Sequence, residues 1–423
     1  MSIFQKIQRN IKRRKMRNSL KMRGYAGNRG ISKFHASPIV PIIKVAVIVI
    51  LIAALGAAIY LWGIPYVKNM IAEKEAPIAS ETPAPTATPA PATYAKADMS
   101  NLETELIIPH WFVSNPYYFS GKIVYTSGQK EATAPPSIYN LITYDIASQN
   151  IEVLELPPRM YQTTNYFEPK MNEYWIVWIE TIAKGGGRIW GYDRMKKEAF
   201  IIRDYNYGMP QLQLSDNYCM YIVPTSAKSD KLYLYDLAAK ESLTLRKYNY
   251  SDEPFSISPP AICETEMVWI DAMDEAVNTT TLKSYKIKEG LAFEQTPYVI
   301  NSYIFAPKIN KDVIAFLDTQ RSLDGNLMLY DLAINDGNPI KIASGVLNFD
   351  LGDNYVAYTK DEKVYIYYWA DGSTGVVSNI NSRAVLASVT DDVCLWYDIT
   401  DGIIGEKTKD RDVLKMAVIP FEK

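Results

Sequence analysis

The chain has 423 residues, 48% of them apolar and 22% charged, with a formal net charge of −2, ample for one large core or two smaller ones. That near-neutral sum hides a division: residues 1 to 72 hold thirteen Lys or Arg and no acid, which leaves 32 bases against 47 acids beyond residue 72, a net of −15. An acidic body argues against nucleic acid as a partner, and two histidines with three scattered cysteines exclude a histidine-built zinc site and a disulfide framework; no metal or cofactor is expected.

Residues 1–37 form a basic tail, densest from Lys6 to Arg23. Residues 38–67 contain the uncharged run Val45 to Trp62, VAVIVILIAALGAAIYLW, flanked by Lys44 on one side and by Tyr60, Trp62 and Tyr66 on the other. Eighteen helical residues span about 27 Å, close to the ~30 Å hydrocarbon core, so this segment is expected to be a single transmembrane α-helix acting as a signal anchor. The positive charge before it places the N-terminus in the cytoplasm and exports the rest, a single-pass cell-membrane topology. Residues 68–100 read as a stalk, since APIASETPAPTATPAPATYAKA from Ala76 to Ala97 alternates Pro and Ala with Thr and favours extended polyproline geometry.

From residue 101 to 423 the texture is that of short strands. One element recurs seven times: IVYT from Ile123, WIVWIE from Trp175, CMYIV from Cys219, MVWID from Met267, VIAFLD from Val313, YVAYT from Tyr355 and VCLWYD from Val393. A second, such as LITYDI from Leu141 or LYLYDL from Leu232, follows each of the first six, and a third and a fourth run fill each period of about 45 residues. Four strands per period make one blade, which predicts an all-β, seven-bladed β-propeller, with six or eight blades as alternatives. The last period ends after VLKMAVIPF without an outermost strand, whereas ETELIIP at Glu103 to Pro109 resembles such a strand; the N-terminal strand is therefore expected to complete the last blade.

These alternating IVYT-type and LYLYDL-type strands resemble the TolB-like family of propellers, related in pattern to WD40-like repeats and also found in front of the hydrolase domain of prolyl oligopeptidases. The resemblance covers about residues 102 to 423. Its SPDG turn survives only as variants, LSDN at Leu214 and LGDN at Leu351, and no hydrolase domain follows. It implies an extracytoplasmic binding scaffold rather than a peptidase.

The connections between blades carry aromatics: His110, Trp111 and Phe112 before blade 1, Asn165 with Tyr166, Asn206 with Tyr207, Asn249 with Tyr250, Asn301 with Tyr303, and Arg383 before blade 7. Packing between blades accounts for such tyrosines. A ring of Trp111, Tyr166, Tyr207, Tyr250, Tyr303 and Arg383 also suits stacking on a sugar or gripping an extended peptide. The recurrent Asp145, Asp193, Asp236 and Asp331 are expected to cap turns. Gly185 to Arg188, GGGR, reads as a flexible hairpin rather than a phosphate loop, and Cys219, Cys263 and Cys394 as buried free thiols. The sequence thus points to a membrane-anchored, non-enzymatic binding or scaffold module for a protein or cell-wall glycan. A carbohydrate-active hydrolase or lyase at the channel mouth and an extracellular sensor are the alternatives.

Overall fold

A computed structural model describes residues 97–128, 138–182, 185–226, 229–249, 258–274, 279–319, 324–334, 338–404, 406 and 411–420. The chain divides by its contacts into Met1–Ala90 and Pro91–Lys423, and the described residues belong to the second unit. The tail, the apolar run and the stalk as far as residue 96 lie outside them; among the described residues no helix is long and apolar enough to cross a membrane.

Seven sheets follow one another, the first six laid down from inner to outer strand. Blade 1 runs Ser114–Phe119, Lys122–Ser127, Asn140–Asp145, Ile151–Val153, and blade 2 runs Asn165–Met171, Trp175–Thr181, Gly187–Asp193, Glu198–Tyr205. The inner strands of blades 3 to 7 are Gln211–Ser215, Ala261–Cys263, Ile304–Ile309, Asn348–Leu351 and Ala384–Thr390. All seven recurrent sequence elements are second strands. They read as unbroken apolar runs because both faces are covered by neighbouring blades; Trp175 to Glu180 are all buried. Outer strands meet solvent on one face and carry charge, as in Glu241–Asn249, where no residue is fully buried.

Blade 7 is completed by Thr104–Leu106, which pairs antiparallel with Val413–Val418 in the register Thr104 to Met416 and Leu106 to Leu414. The N-terminal strand therefore closes the ring as expected, and no blade is left with three strands. Just before it, Ala97–Asp98 adds a short parallel fifth strand to blade 6.

The core has no single centre. Seven apolar clusters lie at the seven junctions between blades, from Val124 with Trp178 between blades 1 and 2 to Leu106, Ile123 and Leu395 between blades 7 and 1. Cross-strand aromatic pairs recur within blades: Trp178 on Trp190 at 5.8 Å, Tyr221 on Tyr233 at 5.3 Å and Tyr358 on Tyr365 at 5.3 Å. Each fully buried large side chain contributes about 1.5–3 kcal/mol. Removing one loosens two blades at once.

The repeated aspartates do cap turns: Asp236 accepts the Ala238 and Ala239 amides at 2.9 Å, and Asp331 those of Ala333 and Ile334 at 2.8 and 3.1 Å. The glycine run joins two antiparallel strands, Trp175–Thr181 and Gly187–Asp193. Gly187 is required there both by its backbone angle and by packing, because a Cβ would stand 1.9 Å from the Glu180 carbonyl oxygen. Of the three free thiols, Cys219 and Cys394 are buried and Cys263 is half-buried.

Candidate functional site: the central channel

The inner strands of a propeller line its axis, so whatever departs from regular pairing there shapes the channel. In blades 1, 2 and 5 the inner strand carries a proline, Pro116, Pro169 or Pro307, which has no N–H to donate to the second strand. The ladder slips at each one, between Ser114 and Tyr117, Phe167 and Lys170, and Phe305 and Lys308. The residue before each proline holds a positive φ, 47° at Asn115, 48° at Glu168 and 49° at Ala306. Non-glycine residues rarely hold such angles, and strain of this kind collects at functional positions.

The channel is a cavity of about 260 Å³ lined by all seven blades. The bulges deliver Tyr117, Glu168, Lys170 and Lys308 to its wall, and blade 6 adds Asn348 and Asp350. Lys308 pairs with Asp350 at 3.0 Å. Lys170 makes no ion pair among the described residues; its ammonium rests over the Tyr117 ring, 4.9 Å from the centroid. Burial, with the Lys308 charge second, pulls Lys170 below the usual lysine range. Burial pushes Glu168 above the ordinary carboxylate value, against the opposing pull of Lys170, Lys308 and the Leu212 amide. Tyr117 is raised to about 12 by burial and then by Asp350.

The two ends of the channel differ. On the face where blades connect, five connections expose a large apolar side chain, Ile107, Tyr161, Tyr207, Leu347 and Ile380, and Phe305 does so near the start of the blade 5 inner strand, with exposures from 38% at Phe305 to 69% at Ile380. The seventh connection, 250–257, lies outside the described residues and includes Tyr250. The opposite face is formed by the turns between inner and second strands. It carries Asp216, Glu264, Asp353, Asp391 and Asp392, with Lys311 bonded to Glu264 at 2.8 Å. Burial raises the Asp353 and Asp391 carboxyls, with the Asp392 charge adding to both. Neighbouring turns are tied by hydrogen bonds, Asn172 to the Asp216 carbonyl at 2.7 Å, Asn310 to that of Gly352 at 3.0 Å and the Asp353 amide to Asp391 at 3.1 Å.

The residues read from sequence as a rim divide between packing and exposure. Trp111 and Tyr166 are buried, 8% and 3% exposed. Tyr166 stands edge-on to Trp178 at 6.1 Å, and its phenol is raised to about 12 by burial and Glu180. Beside it the buried Glu180 accepts the Met160 amide at 2.6 Å, the Thr164 hydroxyl at 2.9 Å and the Trp190 indole N–H at 2.8 Å, a carboxylate used for structure. Tyr207 is 52% exposed and Tyr303 half-buried. Arg383 is exposed and engaged in a two-pronged pair with Glu362 at 2.6 and 2.7 Å. His110 donates to or accepts from the Tyr125 hydroxyl at 2.7 Å. Sequence reasoning did not single out Lys170, Lys308, Glu168 and Asp350, although EPK at Glu168 and APK at Ala306 recur at one repeat position.

A closed ring of seven four-stranded units around a polar axis defines a seven-bladed β-propeller. No family model and no curated protein matches the chain. Among solved structures it is similar to the β-propeller domain of the Trilobed protease from Pyrococcus furiosus, described as having an open velcro topology, with a TM-score of 0.52 at 11% identity over 74% of this chain and 97% of that one. It also matches acylaminoacyl peptidase from Pyrococcus horikoshii (TM-score 0.48, 10% identity, 72% of this chain and 51% of that) and TolB from Acinetobacter baumannii (0.37, 10%, 70% and 80%). The chain spans about half the length of that acylaminoacyl peptidase. At these identities the likeness shows the fold.

Proposed function

We propose that this chain is a membrane-tethered, extracytoplasmic propeller of the TolB-like kind that acts as a binding or scaffold module, with its ligand, a protein or cell-wall glycan, on the face where blades connect. One observation carries this reading: five of the connections on that face, and the start of the blade 5 inner strand, each expose a large apolar side chain, whereas the turns between inner and second strands on the opposite face gather carboxylates. Exposed apolar side chains repeated around one face mark an interaction surface. The tether follows from the apolar run 45–62 and the basic tail before it.

The experiment is site-specific photo-crosslinking in intact cells, with the probe at Tyr207 or Ile380 on one face and at Met195 or Ile334 on the other. A discrete adduct from the first pair alone is expected; adducts from neither, or equally from both, would overturn the reading. Protease added to whole cells should remove a tag at Lys423.

A second reading, a carbohydrate-active hydrolase or lyase, draws on Glu168 and Asp350 lining one channel. Release of reducing sugar from purified cell wall, lost in Glu168→Gln, would favour it.

A further inference from the structure

We propose that Lys170 is a nucleophilic amine that captures a small aldehyde in the channel as an imine. The proposal goes beyond the binding reading above and does not rest on it, because the exposed apolar side chains of the connecting face do not line this cavity. Three features of the channel wall carry it.

The first is how the two lysines are held. A buried ammonium is ordinarily paired, and Lys308 is, with Asp350 at 3.0 Å. Lys170 lines the same cavity and is half-buried, yet the group against its nitrogen is the Tyr117 ring, with no carboxylate at ion-pair distance among the described residues. Glu168 and Asp350 act on it from farther away, so the wall holds two lysines and two carboxyls and selects no ion. What it offers a small molecule is a nitrogen nucleophile.

The second is the company of Lys170. Burial and the Lys308 charge both disfavour its ammonium, the two ways in which a lysine amine is activated toward a carbonyl. Glu168, two residues earlier on the same proline bulge, is pushed the opposite way by burial. An amine that gives up its proton thus shares the cavity with a carboxyl that keeps one, a nucleophile and an acid on one wall. The other groups around Lys170 do not compete for either role: Asp350 is bound to Lys308, burial pushes the Cys219 thiol up, and the Tyr117 phenol is raised to about 12.

The third is the space. A cavity of about 260 Å³ is below the roughly 300–1,000 Å³ of sites for drug-sized ligands, so the aldehyde is small. Gln211, Gln213 and Asn348 on the wall offer hydrogen bonds to a hydroxyl, and Leu212 and Phe349 cover a short carbon body, which suits a short hydroxyaldehyde.

The step balances within these groups. The Lys170 nitrogen lone pair forms a C–N bond to the aldehyde carbon, and the carbonyl oxygen takes the Glu168 proton. The carboxylate so formed removes one proton from the nitrogen and passes it to the new hydroxyl, which leaves as water. A protonated imine then faces the Glu168 carboxylate, and the same steps in reverse release the aldehyde.

The test uses the full chain in detergent, glycolaldehyde as the probe and cyanoborohydride to trap the imine as a stable secondary amine, with each lysine scored by mass spectrometry. At neutral pH, Lys170 is expected to gain the hydroxyethyl group about tenfold faster than the exposed Lys197 and Lys341. Lys308→Met removes a like charge and frees Asp350, so the pH at which Lys170 labelling is half-maximal should move up; Glu168→Gln should slow Lys170 and leave Lys197 unchanged. In the native protein, where folding is not in question, Lys170 labelled no faster than the exposed lysines, or with their pH profile, would overturn the proposal. An unshifted profile in folded Lys308→Met would overturn it too, and a native rate in folded Glu168→Gln would overturn the acid. The labelling reports on the channel and the crosslinking on the connecting face, so either can fail while the other stands.

Discussion

Glu103 and Lys415 are 312 residues apart in the chain and 2.6 Å apart in space. Around that contact the ring is fastened. Lys415 also reaches Asp398 at 3.1 Å, and the second oxygen of Glu103 accepts the Asn379 amide at 2.9 Å, so one lysine joins the closing strand, the second strand of blade 7 and the connection from blade 6. All three charged side chains are about 14% exposed, which spares the network most of the screening that weakens surface pairs.

Removing the cation leaves two half-buried carboxylates facing each other. Lys415→Met is therefore expected to lower stability by on the order of 2 kcal/mol, less than the loss of a fully buried partner. Glu103→Gln, which keeps an oxygen for the Asn379 amide, should cost less. Thermal melts rank the two, and hydrogen exchange should show the amides of Thr104–Leu106 opening before those of other blades in Lys415→Met.

The channel makes the opposite prediction. Lys170 is held below its ordinary pKa by burial and by Lys308, so its charged form is what the fold disfavours. The native state binds fewer protons than the unfolded chain between the lowered value and 10.5; this penalty is complete below the window and relieved as pH rises through it. Lys170→Met is expected to raise the melting temperature at neutral pH, with the gain shrinking toward pH 10. A lower melting temperature would make it a structural residue.

How far these features could be read in the sequence depends on which strand carries them. Second strands were legible because burial on both faces leaves a continuous apolar signature, as in VCLWYD at Val393, and the closing strand because ETELIIP repeats an outer-strand pattern. The channel wall was not. An inner strand shows alternate residues to the axis, and the bulges at Pro116, Pro169 and Pro307 shift that alternation by one, so no simple period marks Lys170 or Lys308. Tyrosines after Asn in the connections looked alike in sequence, yet Tyr166 is buried against Trp178 and Tyr207 is exposed, a difference made by blade packing.

Gly187 tests how tightly the glycine hairpin is packed. Its φ of 154° is one that residues with a side chain rarely adopt, and a Cβ would meet the Glu180 carbonyl at 1.9 Å and the Tyr205 hydroxyl at 2.8 Å. Both belong to the buried network around Glu180, where the Tyr205 hydroxyl donates to that same carbonyl at 3.0 Å. Gly187→Ala should cost on the order of 3 kcal/mol by displacing this backbone. Chemical denaturation measures it, and a change under about 1 kcal/mol would restore the hairpin as a pliable loop.

The acidic turns supply the pH dependence of the opposite face. Asp353 is raised by burial and then by Asp392, and Asp391 by burial and then by Asp353 and Asp392, so between 3.8 and their raised values the native state holds more protons than the unfolded chain. Stability from these two groups is therefore full at low pH and falls as pH climbs through that window. Asp391→Asn removes one charge and keeps the backbone bond from the Asp353 amide to the Asp391 carbonyl. The variant should melt higher than the native protein at pH 7 and match it near pH 4. An Asp391→Asn protein with unchanged melting at both pH values would show that these carboxyls are screened by solvent and do not act as a charged layer.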